Sequence, residues 1–523
     1  MSRQACIIRS LSVTFTQHCL FQQLSFQLPF AQCAALIGRN GQGKSLLMSM
    51  LNHFDPALAT GEIDWRCQYA YLAQFHTPAA TIAEALDVQE LYQIFQRIEH
   101  NQASFSDFDR VEQLWHLPQQ WQQILNDASL PIDLSFPCDQ LSEGQKTKLA
   151  LCRLFLLKDH YLLLDEPSNH LDAANRQWLI RSLQQHPAGC LVISHERNLL
   201  RQMQHIYALQ DNAIHYYQGN YDHYLTQHQL QVEALARNVN QQKRELKQLK
   251  IQQHDSLMKA QKRQQTGKKI RESGSQAKIL LDYQKEQATQ SQSALKQQQQ
   301  RQIQQSRQQL QEKQLQLEKT QSQRFQFSFP QHKTGEILRL KDVMLPFASQ
   351  QKITLALSAG EKIHMVGNNG VGKSTLLKTI AGLLKSKSGD IFCKAKLLYL
   401  DQNFYFGDQQ LNALAQLKPF NPQYSDSEWR NLLGQLGIRG DKALYPLHQL
   451  SGGEKLKVAL LGLSQHAEAV DLLLLDEPEN HLDIESRELL AAAISSFTGA
   501  VILVSHDQNF VEECGINTTF ILS

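Results

Sequence analysis

The amino-acid sequence predicts an α/β protein built twice over, its two halves joined by a long helical hairpin. Three observations carry that prediction. A set of short motifs recurs in the same order near both ends of the 523-residue chain. In each copy, apolar runs of strand length lead into a glycine-rich loop or an acidic pair, as in a parallel sheet covered on both faces. Between the copies lies a proline-free stretch, crowded with Gln, Lys and Arg, in which apolar residues return at heptad-like intervals.

The repeat comes first because it organises everything else. Gly38–Ser45 (GRNGQGKS) returns as Gly367–Ser374 (GNNGVGKS), and Leu141–Gln145 (LSEGQ) as Leu450–Glu454 (LSGGE). Leu162–Asp172 (LLLDEPSNHLD) returns as Leu473–Asp483 (LLLDEPENHLD), and Val192–Glu196 (VISHE) as Leu503–Asp507 (LVSHD). The offset is 329 residues at the first motif and about 310 at the later ones, so the first copy carries roughly 19 extra residues before Leu141. The region 80–140, rich in Leu, Ile, Trp and Gln, reads as a helical insert longer than its counterpart at 408–449.

Leu235, Val239, Leu246 and Leu249, then Leu295, Ile303, Leu310 and Leu317, form the narrow stripes of an antiparallel helix pair. Gly267, Ser273, Gly274 and Ser275 mark its tip. The sequence thus divides into a first cassette at 1–224, a linker at 225–333 and a second cassette at 334–523. Net charge is +2, but residues 225–325 hold 19 Lys and Arg against 8 Asp and Glu, a local +11 that leaves the rest at −9. A basic middle flanked by acidic ends suggests one anionic partner met in one place. No run of about 18 apolar residues is present, so no membrane span is expected, and the N-terminus lacks a secretion signal's apolar core. Nine singly scattered cysteines, none in a C-x-x-C pair, argue against zinc or iron–sulfur sites and suit a reducing cytoplasm.

Each motif implies a chemistry. The glycines of a G-x-x-x-x-G-K-S loop, here Gly38, Gly41 and Gly43, and Gly367, Gly370 and Gly372, let backbone N–H groups wrap phosphates. Asn40 and Asn369 lie within the two loops. Lys44 and Lys373 reach the β- and γ-phosphates, and Ser45 and Ser374 offer a hydroxyl to Mg²⁺; Thr375 follows in the second copy. Asp165 and Asp476, at the ends of apolar strands, are expected to hold Mg²⁺ through water. Glu166 and Glu477, next in line, are placed to polarise the attacking water. His195 and His506 each follow a strand and a Ser, where the ring can bond a γ-phosphate and orient that water. Gln74 and Gln402 can sense the metal or the water. Ser142 and Ser451 open helices whose free N–H groups make anion sites.

Together these motifs resemble those of the ABC ATPases at both ends of the chain. The implied fold class is α/β, two ABC-type P-loop ATPase cassettes joined by a helical-hairpin, coiled-coil linker. The resemblance implies ATP hydrolysis with ATP and Mg²⁺, in a monomer whose cassettes pair head to tail within one chain. It then sets Lys44, Asp165, Glu166 and His195 opposite Ser451, Gly452 and Gly453, and Lys373, Asp476, Glu477 and His506 opposite Ser142 and Gly144. Phe15 is the residue the resemblance implies for stacking on adenine.

Two fused cassettes, a long charged linker and Gln218–Tyr221 (QGNY) just before it resemble the ABC-F subfamily in particular. That implies a cytoplasmic protein at the ribosomal E site, with the linker reaching toward rRNA and peptidyl-tRNA. Such a protein modulates translation or protects the ribosome against antibiotics. Lys262, Arg263, Lys268, Lys269 and Arg271, clustered near the tip, are the expected RNA-binding residues. The sequence departs from the family pattern at Leu46, where Thr is usual, and at Glu143, where a signature Gly is usual. Two other readings stay open at this level, a DNA-associated ABC ATPase and the ATP-binding subunit of a transporter. So does a plain solvated spacer for the linker.

Overall fold

In the computed structural model, the described residues are 3–522 apart from 16–17, 73–78, 170, 211, 273–277, 321–334, 347–351, 369, 402–408, 467–469 and 481. The apolar runs beside the motifs become the centres of two sheets. In the first half the strand order is Tyr69–Leu72, Tyr161–Asp165, Cys190–Ile193, Cys33–Ile37, His205–Gln210, Ala213–Gln218, parallel except for the last. In the second it is Leu397–Leu400, Leu472–Asp476, Ala500–Val504, Lys362–Val366, Thr518–Ile521, parallel throughout. The strands Cys33–Ile37, Tyr161–Asp165, Leu472–Asp476 and Ala500–Val504 are buried at every residue, which is why they read as unbroken apolar runs rather than alternating ones.

Each half adds a three-stranded antiparallel sheet, Gln4–Phe15 between His18–Pro29 and Ala59–Trp65, and Glu336–Met344 between Ile353–Ser358 and Ser388–Cys393. The two sheets of a half enclose one core. Leu11, Phe21, Leu36, Leu47 and Leu163 meet in the first half, and Leu338, Leu357, Met365, Leu376 and Leu474 in the second.

The region 80–140 holds four α-helices, Ile82–Ala85, Gln89–Glu99, Phe105–Val111 and Leu117–Asp127. They pack around the buried Trp121 and Leu125. Its counterpart holds two α-helices among the described residues, Ala413–Leu417 and Asp426–Gln435, around a fully buried Trp429. The longer offset of the first copy therefore goes into extra helix.

By spatial grouping, Met1–Tyr224 and Arg324–Ser523 form one compact unit and Leu225–Gln323 another. The second unit consists of two long helices. One, Tyr221–Glu272, begins in the first unit; the other is Lys278–Thr320. Val239, Leu246 and Ile303 are buried in it. Gln299 Nε2 donates to Ser256 Oγ at 3.3 Å, an antiparallel juxtaposition. Gly267 lies inside the first of these helices and so does not mark the turn. A glycine within a helix costs about 1 kcal/mol but does not end it. Ser273, Gly274 and Ser275 lie outside the described residues. Among the described residues no helix is long and apolar enough to cross a membrane.

Candidate functional site

Both phosphate loops leave the C-terminal end of a central parallel strand and run straight into a helix, Lys44–Asn52 or Lys373–Ile380. Sites of α/β sheets form at such carboxyl ends. The sequence pattern is enforced sterically. Gly43 sits at φ 89°, and a Cβ there would lie 2.8 Å from the Phe21 ring. A Cβ on Gly367 would lie 2.4 Å from the Leu522 carbonyl oxygen. Lys44 Nζ donates to the carbonyls of Gly38 at 2.7 Å and Arg39 at 3.1 Å. Lys373 Nζ repeats this with Gly367 at 2.7 Å and Asn368 at 3.2 Å. Both ammonium groups thus lie in the hollow of their loops. Burial pushes both below the ordinary lysine range.

The acidic pairs meet the loops as the spacing predicts. Ser374 Oγ donates to Asp476 Oδ1 at 3.0 Å. Ser45 stands beside Asp165, whose Oδ1 is buried with no hydrogen-bond partner. Burial raises both aspartates above the usual carboxylate range, against the opposing effect of these hydroxyls. Glu166 and Glu477 adopt φ of 50° and 47°, a left-handed backbone costly for a non-glycine residue. The strain recurs at the same place in both copies, locked by Glu166 N to Ile193 O and Glu477 N to Val504 O, each 2.9 Å. His195 Nε2 lies 3.5 Å from Glu166 Oε1, and His506 Nε2 lies 3.3 Å from Glu477 Oε1.

The two copies differ electrostatically. Burial pushes Glu166 up to about 8 and His195 down to about 3. Glu477 is held below its ordinary value by the adjacent His506, and Asn480 Nδ2 donates to its Oε2 at 2.7 Å.

Ser142 and Ser451 cap the helices Glu143–Leu156 and Gly452–Ser464. Each is one half of a capping box, completed by Gln145 or Glu454. The S-x-x-Q/E spacing in the sequence already carried that signal. Glu143, at the first helical position of one copy, pairs with Lys146 at 2.9 Å. Gly453 admits the following helix, since a Cβ there would meet Ser486 Oγ at 2.4 Å. Gly144 and Gly452 occupy the first turns of their helices, and Thr375 the first turn of the helix after the second loop. A cavity of about 390 Å³ opens at the first phosphate loop, lined by Asn40, Lys44, Ser45, Asp165, Glu166 and His195 among others.

Two features went unread in the sequence. Asp483 caps its own helix through Oδ1 (Ser486 N, 2.8 Å), while its Oδ2 accepts the Asn40 N–H at 2.9 Å, joining the second half to the first phosphate loop. Tyr399 donates to Asp476 Oδ2 at 3.2 Å, and Tyr71 stands near Asp165 in the other copy. The signal was present, because both tyrosines precede the glutamines Gln74 and Gln402 by three residues. Those glutamines and Asn369 lie outside the described residues, as does the side chain of Phe15. Lys262 is exposed on its helix; the side chains of Arg263, Lys268, Lys269 and Arg271, on the same helix, also lie outside them.

A family profile described as "ABC transporter" matches residues 21–169 and 350–480. The putative ATP-binding protein YdiF of Bacillus subtilis is 30% identical, spanning 96% of this chain and 78% of that protein. The human ATP-binding cassette sub-family F member 3 is 28% identical, over 96% of this chain and 69% of its own length. Among solved structures, the archaeal ribosome recycling factor aABCE1, in complex with a ribosomal stalk protein, superposes with a TM-score of 0.51. It is 16% identical, covering 99% of this chain and 87% of that one, and the likeness is one of fold.

Proposed function

This chain belongs to the ABC transporter family and, within it, to the F branch, and on that premise we propose that it works on the ribosome, where ATP binding and hydrolysis modulate translation or protect against ribosome-targeting antibiotics. It is an ATP hydrolase. In this reading 1–224 and 334–523 are the cassettes and 225–333 is the linker, a monomer working in the cytoplasm. The observation that carries the proposal is the basic helical pair joining two complete sets of ATP motifs. Its excess of Lys and Arg suits a polyanion such as rRNA or the backbone of a peptidyl-tRNA.

The chemistry follows from the residues. Ser45 with Asp165, and Ser374 with Asp476, present hard oxygen ligands, and the unpartnered Asp165 Oδ1 fits a cation of the Mg²⁺ type. A Mg²⁺ held by these oxygens would supply positive charge to offset the negative charge of the phosphates. Lys44 and Lys373 hold the phosphates. Glu166 and Glu477 take the proton of the attacking water, and His195 and His506 fix its direction. Gln74 and Gln402 are the residues proposed, from the sequence, to sense the metal or the water. The capped helix starts at Ser142–Gly144 and Ser451–Gly453 supply N–H groups to the nucleotide on the opposite cassette. Phe15 is the residue proposed, from the resemblance, to stack on adenine.

The linker tests the partner. Changing Lys268, Lys269 and Arg271 to Gln removes three charges while keeping helix propensity. Ribosome affinity should fall, and the slope of log affinity against log salt should flatten by about 0.7–0.9 for each phosphate no longer neutralised, with basal ATPase intact. An unchanged affinity and slope would make the linker a solvated spacer. Binding of duplex DNA in place of ribosomes would move the protein to the DNA-associated branch of the family.

A further inference from the structure

The repeat aligns every residue of one cassette's motifs with a counterpart in the other, and the bonds across the cassette interface break that symmetry. Asn198 and Asn509 are counterparts, 311 residues apart, and bond each other at 3.1 Å. They mark the pseudo-twofold axis. Around it, Arg39 Nε pairs with Glu485 at 2.8 Å, beside the Asn40–Asp483 bond on the first phosphate loop. Arg197 pairs with Glu488 at 2.8 Å and also with Glu513.

Every cation of this set comes from the first cassette and every anion from the second. The counterparts carry no charge. Arg39 aligns with Asn368 and Arg197 with Gln508; Glu485, Glu488 and Glu513 align with Ala174, Gln177 and Gln202. Arg197 is 15% exposed in its side chain, so its pairs are only partly screened. The pairs next to the first phosphate loop cannot form around the second, for want of the residues.

We infer that Arg39 and Arg197, with Glu485, Glu488 and Glu513, form a one-sided ionic latch that keeps the second cassette's Asp483 on the first phosphate loop, so that nucleotide leaves the first site more slowly than the second. Arg39 and Glu485 are positioning residues, acting through Asn40 and Asp483. The latch rests on the reading of Lys44 and Lys373 as phosphate-holding residues.

The test is release of a fluorescent ADP with Mg²⁺ from the full chain. Two phases are expected. K44A removes the slow phase and K373A the fast one; if neither variant loses a phase, the phosphate-loop reading and the latch fall together. R39N/E485A, which gives the first site the residues of the second, should speed the slow phase by roughly twofold to fivefold and leave the fast phase alone. The charge swap R39E/E485R should restore the slow phase. Raising salt should accelerate it more in the unaltered chain than in R39N/E485A, where only the Arg197 pairs remain. With the lysine controls behaving as stated, a single release rate, equal acceleration of both phases, or no rescue by the swap would overturn the latch alone.

Discussion

Replacing Asp507 by Asn isolates the electrostatics of a buried ion pair at the cassette interface. Arg487 Nη1 meets Asp507 Oδ2 at 2.8 Å, with side chains only 6% and 7% exposed. Asp507 Oδ1 separately accepts the Phe510 N–H at 3.2 Å, capping the helix Gln508–Glu513. Asparagine keeps the cap oxygen, since Asn caps as well as Asp, but turns an amide toward the guanidinium. Burial works against the Asp507 carboxylate and Arg487 prevails, holding the group below its usual range. Breaking a pair buried this deeply leaves a desolvated cation behind, a loss of about 3–5 kcal/mol. For a folding unit of 150–250 residues each kcal/mol moves the midpoint by about 2–4 °C. D507N should therefore melt at least about 6 °C lower, by calorimetry without nucleotide. Removing both charges in R487M/D507N should recover more than half of that, because a neutral, packed pair needs no counter-charge. A loss under about 1 kcal/mol in D507N, or a double variant as unstable as the single, would refute the reasoning.

Two further outcomes follow from the sites themselves. E166Q/E477Q should bind ATP with near-normal affinity while turnover drops by about 10²–10⁴-fold, since an amide cannot take the water's proton; a double variant hydrolysing at the parental rate would remove both glutamates from the chemistry. Glu479 is the half-buried residue standing where the first copy has Ser168, bonded by Ser505 and pushed up to about 7 by desolvation. Its folded state holds a proton more tightly than the unfolded chain. The stability this contributes is complete below about pH 4.5 and lost as pH rises through about 7. E479Q, which mimics the neutral acid, should gain little thermal stability at about pH 5 and more at about pH 8; a gain equal at both pH values would show that Glu479 does not titrate.

The double α/β fold was legible because two physical signals coincided. Strands buried on both faces leave continuous apolar runs such as Tyr161–Leu164. Phosphate-wrapping loops need glycine where a Cβ would strike Phe21 or the Leu522 carbonyl. The left-handed backbone at Glu166 and Glu477 was not legible, because nothing in a Glu advertises a φ that costs energy. Nor was the role of Asp483. In sequence it is a helix cap like Asp172, and its second oxygen finds Asn40 only once the two halves are folded together. The one-sided charges at Arg39, Arg197, Glu485, Glu488 and Glu513 were open to inspection in the aligned repeats. They acquire meaning only from bonds such as Arg197 to Glu488, whose partners lie 291 residues apart in the chain. Gly267 misled because a glycine among polar residues looks the same at a helix end and within a long helix.

The central claim is that ATP-bound, closed cassettes engage the ribosome. Co-sedimentation of E166Q/E477Q, its linker intact, with ribosomes in ATP and in ADP tests it most directly. The account predicts that the variant pellets with ribosomes in ATP and stays in the supernatant in ADP. A variant that binds ATP but remains in the supernatant under both conditions would contradict it.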